Sequence, residues 1–242
     1  MNLSVIIPAL NEERCIGKTL RSVYSAAAAI DSQNRPVLRE IIVVDGGSQD
    51  QTVAEAERIG AESSDTARLT VITAPRGRAR QMNAGAINAT GDVFLFLHAD
   101  TLLGSDAFRA MRRALANGVD AGTFQLRFSP STPLLRLYAA CTRLPWPRLF
   151  FGDRGLFVRR RAFDAVGGYP DGPIFEDLEI VDRLNQEGTV HLLPVAVTTS
   201  SRRFQAHGTI RQQLLNGWLW FRYLTGTPPS QLASLYRYDT DR

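Results

Sequence analysis

The chain has 242 residues, 44% hydrophobic and 21% charged, enough to bury one substantial core and to fit one α/β domain, alone or with an added lobe. Two cysteines, Cys15 and Cys141, exclude a disulfide framework or a cysteine-held zinc and make a reducing compartment, the cytoplasm, the default; no apolar run approaches the roughly 20 residues that cross a bilayer, and the opening "NLSVIIPALNE" has no leader pattern, so neither export nor insertion is expected. The formal charge of +4 and pI near 9.4, owed almost wholly to arginine, admit anionic partners such as phosphates or lipid headgroups, whereas the lack of basic runs interleaved with aromatics argues against nucleic acid.

"LSVIIPA" is a short β-branched run, and Ile16, Leu20 and Val23 at helical spacing after Asn11 predict a helix behind it. The unit recurs. "EIIVVDGGSQD" gives a second buried strand ending in a glycine turn, with a helix from about Gln51 to Ile59; "RLTVITA" is a third strand, followed by the helical, small-residue run "GRARQMNAGAINAT"; "DVFLFLHAD" is a fourth, with a helix near Ser105 to Ala116. Strands alternating with helices imply parallel pairing through crossovers, with helices on both faces, so residues 1–117 read as a doubly wound half.

Beyond Gly118 the rhythm changes. "VDAGTFQLRFS" alternates as an antiparallel strand does, "PLLRLYAACTRL" is helical, "PWPRLFFGDRG" is a loop leading into the strand "LFVRR", and "IFEDLEIVDRLNQEG" is a helix with its acids early. "VAVTTSS" is a further strand, "TIRQQLLNGWLWFRYLTG" a helix with an aromatic face, and "PPSQL" a short final helix. The expected organisation is one continuous domain: 1–117 for a nucleotide, 118–207 for an acceptor and catalysis, and 208–242 as a helical segment.

In an open α/β sheet, ligands bind at the carboxyl ends of the parallel strands, where loops and helix N-termini present free N–H groups. Those ends carry Pro8, Ala9, Asn11 and Glu12, then Asp45, Gly46 and Gly47, then Ala74 to Arg78, then His98, Ala99 and Asp100. Acids and amides suit a base and ribose hydroxyls, arginines suit phosphate, and the last aspartate suits a hard cation. No G-x-x-x-x-G-K-[ST] is present and no G-x-G-x-x-G follows the first strand, so glycines do not cradle this phosphate. A diphosphate beside acids calls for a divalent cation.

"SVIIPALNE", "IIVVDGGSQDQT", Asn83 and Gly85 of "NAGA", "FLFLHAD" and "FEDLEIVDRL" resemble, in order, the motifs of family 2 glycosyltransferases, which have the GT-A fold. "GRARQMNAGA", "GDRGLFVRR" and "TTSSRRF" are similar to a bacterial subgroup labelled for arsenosugar biosynthesis. The resemblance implies a nucleoside-diphosphate sugar as donor, UDP before GDP by frequency alone, and a hydroxyl acceptor. It maps base and ribose contacts onto Ala9, Glu12 and Asp45, and Mn²⁺ or Mg²⁺ and the diphosphate onto Asp100. Asp177 becomes the general base beside Glu176, with inversion expected. The family's Asp-x-Asp reads His98, Ala99, Asp100 here, so His98 either contacts ribose or phosphate, lends a nitrogen to the metal, or only caps the strand.

Around these, Arg78 is the best phosphate clamp among Arg76, Arg78 and Arg80, and Arg202 and Arg203 are set to close over the diphosphate, with His207 an outlying metal ligand. Asp153 and Arg154 belong to a loop expected to face the acceptor. The stripe of Trp218, Trp220, Phe221 and Tyr223 reads as core or homodimer contact ahead of a peripheral foothold on the inner face of a membrane. A sugar nucleotidyltransferase and a non-catalytic nucleotide-sugar binder stand as the alternatives, the first weakened by the lack of a Gly-rich, lysine-bearing loop in "PALNEERCIGK".

Overall fold

The structure is a computed structural model that describes residues 1–30, 37–63, 65–144, 152–233 and 235. Its first part runs β1 (Leu3–Ala9), α1 (Ile16–Ala28), β2 (Leu38–Asp45), α2 (Thr52–Glu62), β3 (Arg68–Thr73), α3 (Arg78–Asn88) and β4 (Val93–Phe96). Every residue of β1 is buried, because α1 covers one sheet face and α3 the other. Leu3, Val5 and Ile7 pack with Ile16, Leu20 and Val23 of α1, while Ile6 packs with Met82 and Ala86 of α3. This two-sided burial is why the strands are continuous apolar runs. Helix α3 lies close enough to the sheet that a Cβ on Gly85 would stand 2.4 Å from Ile6 Cγ2.

The rest runs β5 (Thr101–Leu102), α4 (Ala107–Ala116), β6 (Ala121–Ser129), α5 (Pro133–Cys141), a 3₁₀ turn at Gly152–Arg154, β7 (Leu156–Arg159), α6 (Arg160–Ala165), α7 (Glu176–Glu187), β8 (Val190–Ser200), α8 (Arg202–His207), α9 (Thr209–Leu224) and α10 (Pro229–Ala233). One eight-stranded sheet has the order β3-β2-β1-β4-β7-β6-β8-β5. Strands β1 to β4 are mutually parallel as the alternation predicts; β7 enters antiparallel between β4 and β6. The architecture, a mostly parallel sheet with helices on both faces extended by a mixed second half, is the one the GT-A resemblance implies.

Some details depart from expectation. Strand β4 ends at Phe96, so His98 to Asp100 lie in the following turn, where Thr101 N–H donates to the His98 carbonyl at 3.1 Å. Strand β8 starts five residues before the expected "VAVTTSS" segment, and β6 pairs parallel with it. Helices α6 and α8, each of six residues, and the two-residue β5 went unforeseen, being too short for any hydrophobic period to register. The loop expected over 145–155 lies partly on 145–151, outside the described residues. The aromatic stripe is not one face: Tyr223 packs inward with Leu219 and Leu232, whereas Trp218 and Phe221 are exposed and so are not core.

At the amino edge of β1, β2 and β4, Glu40 collects donors. Its Oε1 accepts from Ser4 Oγ at 2.7 Å, from Thr90 N–H at 2.6 Å and from Thr90 Oγ1 at 2.8 Å, and Ser4 Oγ in turn accepts from Gly91 N–H. Burial pushes this carboxyl up, but the bonds from Ser4 and Thr90 outweigh it and hold it below the ordinary value. A depressed folded-state pKa gives stability that is present above the unfolded pKa and is lost as pH falls through the folded one. Glu40→Gln is therefore expected to lower stability by about 1 kcal/mol at neutral pH, the difference shrinking in acid below about pH 4, as read from denaturant midpoints at the two pH values.

Candidate active site

Parallel pairing sets the carboxyl ends of β1, β2 and β3 level, with Ala9 opposite Asp45 and Asp45 opposite Thr73. The loops that follow are knitted together. Asn11, at φ 53°, donates its N–H to Ser48 Oγ at 3.0 Å and accepts from Gln49 N–H at 2.9 Å, and Glu12 N–H donates to Thr52 Oγ1 at 2.7 Å. Asp45 is buried and accepts from the N–H groups of Gly47 and Ser48. Beneath them Gln81 of α3, which sequence reasoning passed over, donates to the carbonyls of Ala9 at 2.9 Å and Val44 at 2.7 Å. Gln81 also explains Gly46, where a Cβ would lie 3.0 Å from its Nε2. Pro8, Ala9, Asn11, Asp45 and Gly46 are thus held together at the carboxyl ends of β1 and β2.

Next to it lies a cation between two acids. Antiparallel pairing of β5 with β8 sets Thr101 opposite Thr199, and Ser200 N–H donates to the Asp100 carbonyl at 3.2 Å. Two residues on, Arg202 Nη2 lies 3.5 Å from Asp100 Oδ2, while Nη1 donates to Glu12 Oε2 at 2.6 Å and Nη2 to Glu12 Oε1. Burial pulls the guanidinium pKa down, but the hydrogen bonds and charge of Glu12, with the charge of Asp100, raise it above its ordinary value, so it stays charged. Burial, opposed by Arg202 and reinforced by Glu12 and Asp100, holds the neighbouring Cys15 thiol above its ordinary range, an unreactive setting.

His98 is less exposed than its position in a turn suggests, and its Nδ1 lies 3.1 Å from Asp153 Oδ1. In a neutral ring that contact selects the Nδ1–H tautomer and leaves Nε2 as a lone-pair nitrogen. Asp153, expected at the acceptor, is therefore drawn to His98. Arg154 is fully buried, donates to the Thr142 carbonyl, and is pulled down to about 10 by burial, against the charge of Tyr138. Ala99 is buried, and its carbonyl accepts from Thr19 Oγ1 at 2.7 Å.

Helices α3 and α7 meet across the third wall. Glu176 is buried, with Oε1 3.5 Å from Arg78 Nη1 at the start of α3. Asn83 exchanges two bonds with the backbone of Tyr169, donating to its carbonyl at 2.8 Å and accepting from its N–H at 2.9 Å, which fixes the loop before α7. Burial, then the charges of Asp177 and Glu176, push the Tyr169 phenol well up, so the two carboxylates lie near its ring. Asp177 is half-buried in the first turn of α7, whose entry residue Phe175 has φ 64°. The aromatic in "GGYPDG" was the available signal for Tyr169. Arg76 is exposed and Arg80 pairs with Asp171 at 3.0 Å on the surface; the side chains of Arg203 and His207 lie outside the described residues.

Among the described residues no three metal-ligating side chains converge. The donor chemistry fits a divalent ion in one way, as the companion of a ligand that brings its own oxygens: Asp100 offers a hard carboxylate, and Arg202 shows that positive charge is held at that spot.

The sequence model described as Glycosyl transferase family 2 matches residues 4–169. A probable glycosyltransferase, YdaM of Bacillus subtilis (strain 168), is 26% identical over 215 residues, 81% of this chain and 50% of its own; the chain thus spans about half the length of that relative. Mannosyltransferase PcManGT from Pyrobaculum calidifontis, in complex with GDP-Man and Mn²⁺, has a TM-score of 0.70 at 21% identity, covering 96% of this chain and 67% of its own. TarS 1-349 of S. aureus in complex with UDP-GlcNAc has a TM-score of 0.63 at 18% identity, covering 83% and 59%.

Asn83→Ala removes both bonds to Tyr169 and is expected to cost about 2 kcal/mol, seen as a lower denaturation midpoint with unchanged slope.

Proposed function

The chain belongs to glycosyl transferase family 2, and on that premise we propose that it transfers a sugar from a nucleoside-diphosphate sugar to an acceptor hydroxyl with inversion. The observation that carries this reading is the pair of acids, Glu12 and Asp100, gathered around Arg202 after the carboxyl ends of β1 and β4. Residues 1–117 take the donor: Pro8, Ala9, Asn11, Asp45 and Gly46 receive base and ribose, Gln81 holds the strand ends that carry them, and Asn83 holds the loop before α7. Arg202 and Arg78 receive the diphosphate. Residues 118–207 bring the acceptor and the base.

When bound, a Mn²⁺ or Mg²⁺ ion held by Asp100, with His98 as its nitrogen neighbour, supplies charge that steadies the leaving diphosphate. PcManGT with GDP-Man and Mn²⁺ supports the metal. UDP before GDP as the donor base rests on frequency alone, for TarS is in complex with UDP-GlcNAc and PcManGT with GDP-Man. In our reading Glu12 releases Arg202 to the diphosphate as the donor enters, exchanging one anionic partner for another. Asp177 takes the proton of the acceptor hydroxyl; that oxygen forms its bond to the anomeric carbon from the face opposite the leaving group, and the bond from that carbon to the diphosphate oxygen breaks with its electrons. Glu176, buried and paired with Arg78, holds α7 in position and takes no proton.

The test is incubation with UDP- and GDP-sugars, Mn²⁺ and candidate hydroxyl acceptors. Release of nucleoside diphosphate is expected, and Asp177→Asn should lower turnover by about 10²- to 10⁴-fold while donor binding persists. Full turnover in Asp177→Asn removes the base assignment; nucleoside triphosphate formed from added pyrophosphate would replace transfer by nucleotidyl chemistry.

A further inference from the structure

Of the nine large hydrophobic side chains exposed among the described residues, only Ile87 lies outside two stretches, 121–152 and 188–238, and neither stretch contains an aspartate or a glutamate although the chain has 24. Positive charge without acids nearby in sequence and bare apolar surface therefore coincide. On α9 the pattern is regular. Ile210, Leu214, Trp218 and Phe221 follow at i, i+4, i+8 and i+11 and are 68%, 70%, 45% and 59% exposed, so they form one outward stripe. Arg211 and Arg222 are exposed along one border of it, with the Arg222 guanidinium 5.8 Å from the Trp218 ring.

The opposite face of α9 is seated. Leu219 packs with Leu232 and Ile174, and the Tyr223 ring lies 4.8 Å from that of Phe175, the residue that enters α7. Helix α5 is linked to α8, the helix before α9, by Phe128, whose ring stands 5.7 Å from Tyr138 of α5 and 5.4 Å from Phe204 of α8. It too exposes leucines, Leu134 and Leu137, beside the exposed Arg136. No helix among the described residues is long and apolar enough to cross a membrane.

We propose that the outer face of α9 seats on an anionic lipid bilayer. Charge decides the occupant. A second copy meeting this stripe through a two-fold contact would bring Arg211 and Arg222 against the same arginines with no acid to answer them, whereas anionic headgroups answer them directly while the stripe enters the acyl boundary. An aromatic ring bordered by arginine suits that boundary. Because α9 backs onto Phe175, a bilayer under its outer face lies about one helix diameter, roughly 10–12 Å, from the start of α7.

Co-sedimentation of the full chain with vesicles tests this without donor or acceptor, so its outcome is independent of the glycosyl-transfer reading. Binding is expected to mixed phosphatidylcholine and phosphatidylglycerol vesicles and to be much weaker to phosphatidylcholine alone. Leu214→Ser with Phe221→Ser should reduce the partition coefficient about tenfold or more, and Arg211→Gln with Arg222→Gln by about fivefold per arginine. The proposal is overturned if the wild-type chain stays in the supernatant with mixed vesicles, or if neither double variant changes its partition. A concentration-dependent dimer in sedimentation velocity, abolished by the serine pair without vesicle binding, would assign the face to a second copy and equally overturn it.

Discussion

Acids placed at the carboxyl ends of parallel strands repel one another unless a cation stands between them, and this molecule brings that cation from the far end of the chain. Arg202 reaches Glu12 and Asp100 because β8 pairs with β5 immediately after Asp100. The contact joins the loop after β1, the turn after β4 and the start of α8, segments separated by as many as 190 positions. A guanidinium is suited to this, since it remains charged when partly buried and grips a carboxylate with two parallel bonds. In the proposed reaction the same arginine exchanges a protein carboxylate for a diphosphate.

Helix α3 is the second support. Gln81 holds the ends of β1 and β2, Arg78 reaches Glu176, and Asn83 clasps Tyr169, so one helix fixes both the cleft floor and the loop that delivers α7. Its close seat on the sheet explains the small residues in "NAGA": Gly85 leaves room where a side chain would strike Ile6.

Much of the first half was legible because buried parallel strands and amphipathic helices carry their period in the sequence. β1 begins and ends where "LSVIIPA" does, and the strand-end residues converge as their order implied. What remained hidden depended on long-range pairing or on elements too short to show a period. That Asp153 turns to His98, that Arg202 bridges two acids, and that Gln81 caps two strand ends are consequences of β7 pairing with β4, β8 with β5, and α3 packing on β1 and β2, which no local pattern records. The aromatic stripe misled for another reason: Trp218 and Tyr223 are close in sequence but lie on different sides of α9. A count of aromatics cannot tell a buried seam from a bare face.

The account is most exposed at Asp100. Thermal denaturation of the wild-type chain and of Asp100→Asn, each with UDP, with Mn²⁺ and with both, measures it directly, since a ligand that binds only the folded state stabilises it by about 2.7 kcal/mol at one hundred times its dissociation constant. We predict that UDP and Mn²⁺ together stabilise the wild-type chain by more than the sum of each alone, and that this excess disappears in Asp100→Asn. An undiminished excess in the variant would contradict the view that this carboxylate, held by Arg202 when no donor is bound, is where the activated phosphate is received.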